Sequence, residues 1–139
     1  MGLLNPPKRE REMAQWSEVV QILKSSKVYP SDQVDPKLFV VHLQTDEGRS
    51  QDVYVGNVDE NVTFRSVVCK LDEVDLNVFF KSDFIAKLPY GLGPVGEFLA
   101  IKHVQKLETL DIAELAAPIA DLAHFADYVE GALSGGDIF

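Results

Sequence analysis

The sequence predicts an α+β protein whose antiparallel sheet is packed by helices, and three patterns carry that prediction. Three β-rich runs separated by turn residues lie between residues 37 and 71. Two more such runs flank a glycine-rich turn at 91–96. A stripe of apolar residues at steps of three and four closes the chain over 115–133. In chain order this reads as helix, three-strand meander, short helix, β-hairpin and long C-terminal helix.

Residues 1–10 read as a flexible arm, and Pro6-Pro7 suit the first turn of a helix. Met13, Trp16, Val20 and Leu23 recur at helical spacing, which predicts one amphipathic helix over 8–26. From Tyr29-Pro30 to Asp35-Pro36 a loop is expected, because each proline biases its predecessor away from helix. "KLFVVHLQT" (37–45), "QDVYVGNV" (51–58) and "VTFRSVVCKL" (62–71) follow as strands. The turn "DEGR" joins the first two with Gly48 at the position needing positive φ, and "DEN" joins the next two.

The segment 71–82 reads two ways. Val74, Leu76, Val78 and Phe80 alternate as in a strand, whereas Asp72 and Asp75 resemble an N-cap pair, and a short helix is the expectation. Its large apolar residues point too widely around a helix for one packed face, so Leu76, Phe79 and Phe80 are the candidate interface, with Phe79 outermost; the alternative is that residues 96–105 or the N-terminal arm cover it within one chain. "DFIAKLPY" (83–90) and "EFLAIKHVQ" (97–105) are the expected strands of the hairpin. In the last helix Leu115, Ile119, Leu122, Ala126, Val129 and Leu133 form the buried stripe, Asp111 and Glu114 a capping box, and Gly131, Gly135 and Gly136 the stop. Pro118 should kink that helix or restart it.

Gly91-Leu-Gly93-Pro-Val-Gly96 is a literal G-x-G-x-x-G with Lys102 close behind. A phosphate-binding loop of this type needs a helix opening at the glycines, and here a strand follows, so the expectation is a five-to-six-residue hairpin turn with positive φ at the glycines. His42, His103 and His124 have no ligand-like spacing among themselves or with Cys69, which predicts no metal site. Ser17, Ser50, Ser66 and Ser82 lack a nucleophile-elbow context, and Asp72, Glu73 and Asp75 suit the first turn of a helix. No catalytic residue and no cofactor are predicted.

With 139 residues, 46% of them hydrophobic and 25% charged, the chain fits one domain over 11–137 with an ordinary core. The formal charge of −9 argues against nucleic acid, whose phosphates need a basic patch. No apolar run approaches the roughly 20 residues of a membrane span, and no secretory signal is read at the N-terminus. One cysteine allows no intrachain disulfide, and a cytoplasmic location is the default. After Lys106 there is no Lys or Arg, against seven acids, so the C-terminal part is either a solvated acidic face or one that recruits a basic partner.

Leu76-Asn77, the hairpin around "LPYGLGPVGEFLAI" and the closing run "LDIAELAAPIADLAHFADYVEGALSGGD" carry a resemblance. Over about residues 12–137 the chain resembles the YbjN family of the type III secretion chaperone-like fold, above all its cyanobacterial and chloroplast versions. The secretion chaperones of this fold are homodimers that hold an extended partner chain along their sheets. In them the helix corresponding to the one expected at 71–82 packs against its twin. The resemblance therefore implies a non-enzymatic, chaperone-like or accessory role, a protein partner and a homodimer. The alternative is a small-ligand sensor using the crevice between sheet and long helix.

Overall fold

The computed structural model describes residues 13–26, 30–46, 48–75, 77, 81, 87 and 89–135. Among them, a six-stranded antiparallel sheet carries two helices on one face. The helices are α1 (Trp16–Ser25) and α2 (Ala116–Gly135), and the strands are β1 (Ser31–Asp35), β2 (Leu38–Asp46), β3 (Arg49–Val58), β4 (Asn61–Lys70), β5 (Gly91–Val95) and β6 (Phe98–Lys106). Their spatial order is β1-β2-β3-β4-β6-β5. The α+β class and the antiparallel sheet stand as the sequence predicts.

Helix α1 starts later than expected. Residues 13–15 are outside it, and residues 8–12 lie outside the described residues. Gln15 ends the extended approach, and its N–H donates to Glu18 Oε1 at 3.0 Å, satisfying one donor at the helix start. Val19 is the most deeply buried residue of this helix, while Met13 is exposed and falls off the expected stripe.

The expected loop at 30–36 contains β1. A proline biases its predecessor toward extended backbone, and an edge strand bounded by Pro30 and Pro36 meets that bias as well as a loop does. Gly48 has the positive φ its turn requires (71°). The two-residue turn between β3 and β4 places Asp59 and Glu60 both at positive φ, 50° and 63°, which is the type I′ pattern without its usual glycine.

The glycine-rich hairpin exists, but its turn is elsewhere than expected. Gly91 to Val95 form β5 itself, paired with β6 from Gly91↔Lys102 to Val95↔Phe98, and the turn is only Gly96-Glu97. Of the three glycines only Gly96 has positive φ (60°). A two-residue turn with glycine first follows the twist of the strands, so a longer loop is unnecessary. The expected strand at 83–90 is not one where described: Lys87 is a turn and Pro89 and Tyr90 a bend.

Within 71–82, Leu71–Glu73 is a 3-10 turn, Asn77 is helical, and its N–H donates to Asp75 Oδ1 at 3.1 Å, as in an N-cap. The proposed interface residues Leu76, Phe79 and Phe80 lie outside the described residues. Asp111 caps a separate 3-10 turn, Ile112–Glu114, and α2 starts anew at Ala116, so Pro118 occupies a first turn where no backbone bond is lost. Gly131 is inside α2 rather than at its stop. A Cβ there would come within 3.1 Å of Arg49 Nη2, so the glycine admits a guanidinium against the helix.

The core lies between the sheet and the helices. Phe39, Val41, Val53, Val55, Val62, Phe64, Leu99 and Ile101 point inward at alternate strand positions and meet Val19, Leu122, Ala126 and Val129. The predicted stripe is buried at Leu115, just before α2, and on α2 from Ile119 to Val129, and Leu133 is partly so.

Candidate functional site

Alternation leaves the opposite face of the sheet to the outside. Val104 (54% exposed), Val58 (55%), Phe98 (38%) and Val67 (36%) stand there on three adjacent strands. A face of this kind is uncovered by any described helix, and it is the first candidate for an interaction surface.

The sheet also splits. The β3–β4 ladder runs from Val58↔Asn61 to Tyr54↔Arg65 and stops, although β3 extends back to Arg49 and β4 on to Lys70. Arg49 to Val53 continue with β2, while Ser66 to Lys70 continue with β6. A cleft of about 380 Å³ lies here, lined by Ser50, Gln51, Asp52, Tyr54, Val67, Phe98 and Glu130. The buried Ser66 hydroxyl helps bridge the divergence, 2.8 Å from the Asp52 carbonyl and 3.0 Å from Gln51 Oε1. Gln51 Nε2 in turn donates to Glu130 Oε1 on α2. Beside it, Arg49 Nε donates to Asp127 Oδ1 at 3.0 Å and Nη2 to the Asp127 carbonyl at 3.2 Å. A polar network thus fixes the Glu130 carboxylate at the base of the cleft.

On the outer face near this cleft, His42 is held between strands. Its Nδ1 is 2.7 Å from Asp52 Oδ1 on β3 and its Nε2 is 2.9 Å from Asp32 Oδ2 on β1. The bond to Asp32, then that to Asp52, raise the imidazole pKa above its ordinary value, with desolvation opposing weakly. The protonated ring donates from both nitrogens and ties the edge strand β1 to β3 across β2.

The other singled-out residues have structural surroundings. His103 stacks on Phe64 (ring centroids 5.8 Å apart) and meets Tyr90 edge-on (5.5 Å). Desolvation, with the charge of Asp121, raises the Tyr90 phenol. Cys69 is partly buried, and desolvation, then Glu73 and Glu130, push its thiol pKa up, which disfavours the thiolate that a nucleophile needs. Among the described residues no group of three or more His, Cys, Asp or Glu could hold a metal ion. Among them, too, no helix is long and apolar enough to cross a membrane.

The sequence reading missed Gln51 and Glu130. Gln51 shares the inward phase of β3 with Val53 and Val55, so a polar side chain at a core position was the available signal. Glu130 lies between Ala126 and Leu133 at helical steps, an acid bordering the apolar stripe. The divergence of β3 from β4 had no comparable signal. No protein-family model matches the chain, and no curated protein matches it.

Proposed function

We propose that this chain is a non-enzymatic protein-binding module, chaperone-like or accessory, which engages a partner through the open face of its sheet. The observation that supports this reading is the exposure of Val58, Val67, Phe98 and Val104 on the face opposite the helices. These residues form two apolar ends, Val58 with Val104 and Val67 with Phe98, separated by the outward pair Arg65 and Lys102, and exposed apolar surface on one face favours association with another polypeptide. The sheet edges suit strand addition poorly: β1 is short and acidic between two prolines, and β5 contains Pro94. The face is therefore the better docking surface.

Membership of the YbjN family, a cytoplasmic location and a homodimer formed through Leu76, Phe79 and Phe80 belong to the same proposal, and rest on the resemblance and on sequence. The sensor alternative has less support. Between the sheet and α2, Val53, Phe64, Leu122 and Val129 leave little room, and the apolar space beside Leu23, Val41 and Ile119 measures about 30 Å³; the larger hollow of about 630 Å³ beside Trp16, Asn57 and Lys106 has no lining residue from α2.

Affinity purification with crosslinking from the native host tests the proposal, using Phe98→Asp and Val104→Asp beside the wild type. Val104 is half exposed and Phe98 more than half covered, and aspartate is a poor strand former, so each variant should lose about 1–2 kcal/mol and its folding is checked by urea unfolding before capture. Loss of captured protein in both variants is expected. Undiminished capture in both would refute the assignment of the open face.

A further inference from the structure

The cleft where β3 leaves β4 differs from the rest of the open face in charge and in shape. Its rim is apolar and aromatic (Tyr54, Val67, Phe98), whereas its inner end holds the carboxylate of Glu130, with that of Asp52 at one side. Among its described lining residues there is no cation; of the cations that border it, Arg49 is engaged by Asp127, His42 is bonded to Asp52, and Arg65 stands opposite Tyr54 on the next strand, which leaves Glu130 as the carboxylate offered to a ligand. Gln51, itself buried, donates to Glu130 and so fixes the direction of that carboxylate. The volume of about 380 Å³ is at the small end for ligand sites.

We infer that this cleft is a pocket for one basic side chain, lysine or arginine, projecting from an extended partner segment that lies on the open face. This rests on the protein-binding reading above. The aliphatic stem would lie along Val67, the cationic head would reach Glu130, and the rings of Tyr54 and Phe98 suit both. The formal charge of −9, with no Lys or Arg after Lys106, gives a field that draws cations toward this end of α2. Val67 and Phe98 belong to both the cleft and the open face, so a chain held on that face is well placed to deliver the side chain.

The test is an NMR titration of the isotope-labelled full chain with the peptide Ac-Val-Arg-Val-NH2 and its uncharged counterpart Ac-Val-Gln-Val-NH2, at matched ionic strength. The arginine peptide should move the Gln51 side-chain amide and the backbone resonances of Val67 and Phe98. The glutamine peptide, and the arginine peptide on Glu130→Gln, should each bind about tenfold more weakly, as loss of a close charge pair implies. Glu130→Gln keeps an acceptor for Gln51. Phe98→Ala, at an exposed position, is the second variant and should weaken the arginine peptide severalfold. Equal binding of the two peptides, shifts confined to other surfaces, or unchanged affinity in both variants would overturn the pocket. Equal binding at the cleft would leave the open-face reading standing, since that reading falls only if capture survives Phe98→Asp and Val104→Asp.

Discussion

Replacing Gly131 by alanine sets two effects of similar size against each other. In a helix interior, glycine is about 0.8–1.0 kcal/mol less favourable than alanine, so Gly131→Ala alone should stabilise by about that much. The added Cβ would lie 3.1 Å from Arg49 Nη2 and 3.6 Å from Nη1, close enough that the guanidinium must move by a few tenths of an ångström. That movement strains two bonds to Asp127, at 3.0 and 3.2 Å. The Arg49 side chain is about half exposed, so the pair is worth roughly 0.2–1 kcal/mol. The two terms nearly cancel, and Gly131→Ala should change stability by less than about 0.5 kcal/mol. In an Arg49→Ala background the obstacle is gone, and the same substitution should stabilise by about 1 kcal/mol. Urea unfolding of the four proteins of this cycle gives the coupling directly. A gain of about 1 kcal/mol in both backgrounds would refute the packing of Arg49 against the helix.

Leu122 is fully buried in the middle of the α2 stripe, and Leu122→Ala should cost roughly 2–5 kcal/mol in the same assay; a loss below about 1 would place the stripe outside the core. The raised pKa of His42 gives a stabilisation that is complete below its ordinary value near 6.5 and lost as pH rises through the raised one. Unfolding measured across that window should show stability falling with pH, and His42→Asn should flatten this contribution. Glu60→Gly should stabilise by up to about 1 kcal/mol by relieving a left-handed residue, against the entropy that glycine costs. Gly96→Ala should cost roughly 1–2 kcal/mol at φ 60°, while Gly93→Ala, whose Cβ would meet only Lys102 Cδ at 4.0 Å, should stay within about 0.5; equal costs would contradict the two-residue turn.

The parts of the fold legible in the sequence are those whose signal is local and periodic. Ile119 to Val129 mark α2 because a helical stripe needs no knowledge of its partner, and Gly48 marks its turn because few other residues take that φ. β1 was hidden because Ser31 to Asp35 form a polar edge strand, defined by its pairing with Val40 and Val41 rather than by its own pattern. β5 was hidden because its glycines and proline signal a turn, and only the register against Leu99 to Lys102 makes them a strand. The cleft depends on where one ladder stops. That is a long-range property; Gln51 at an inward strand position and Glu130 beside the apolar stripe each carry a weak local signal, but neither tells where the ladder ends.

The central claim, that partner chains meet the open face of the sheet, is tested most directly by placing a photo-crosslinking amino acid at Val58 or Val104 on that face and at Ile22 or Tyr128 on the helices. All four positions are exposed, so accessibility alone does not separate them. Irradiation in the native host should give a discrete adduct from positions 58 and 104, and little from 22 and 128. Adducts of equal yield from all four, or from the helix positions only, would contradict the account.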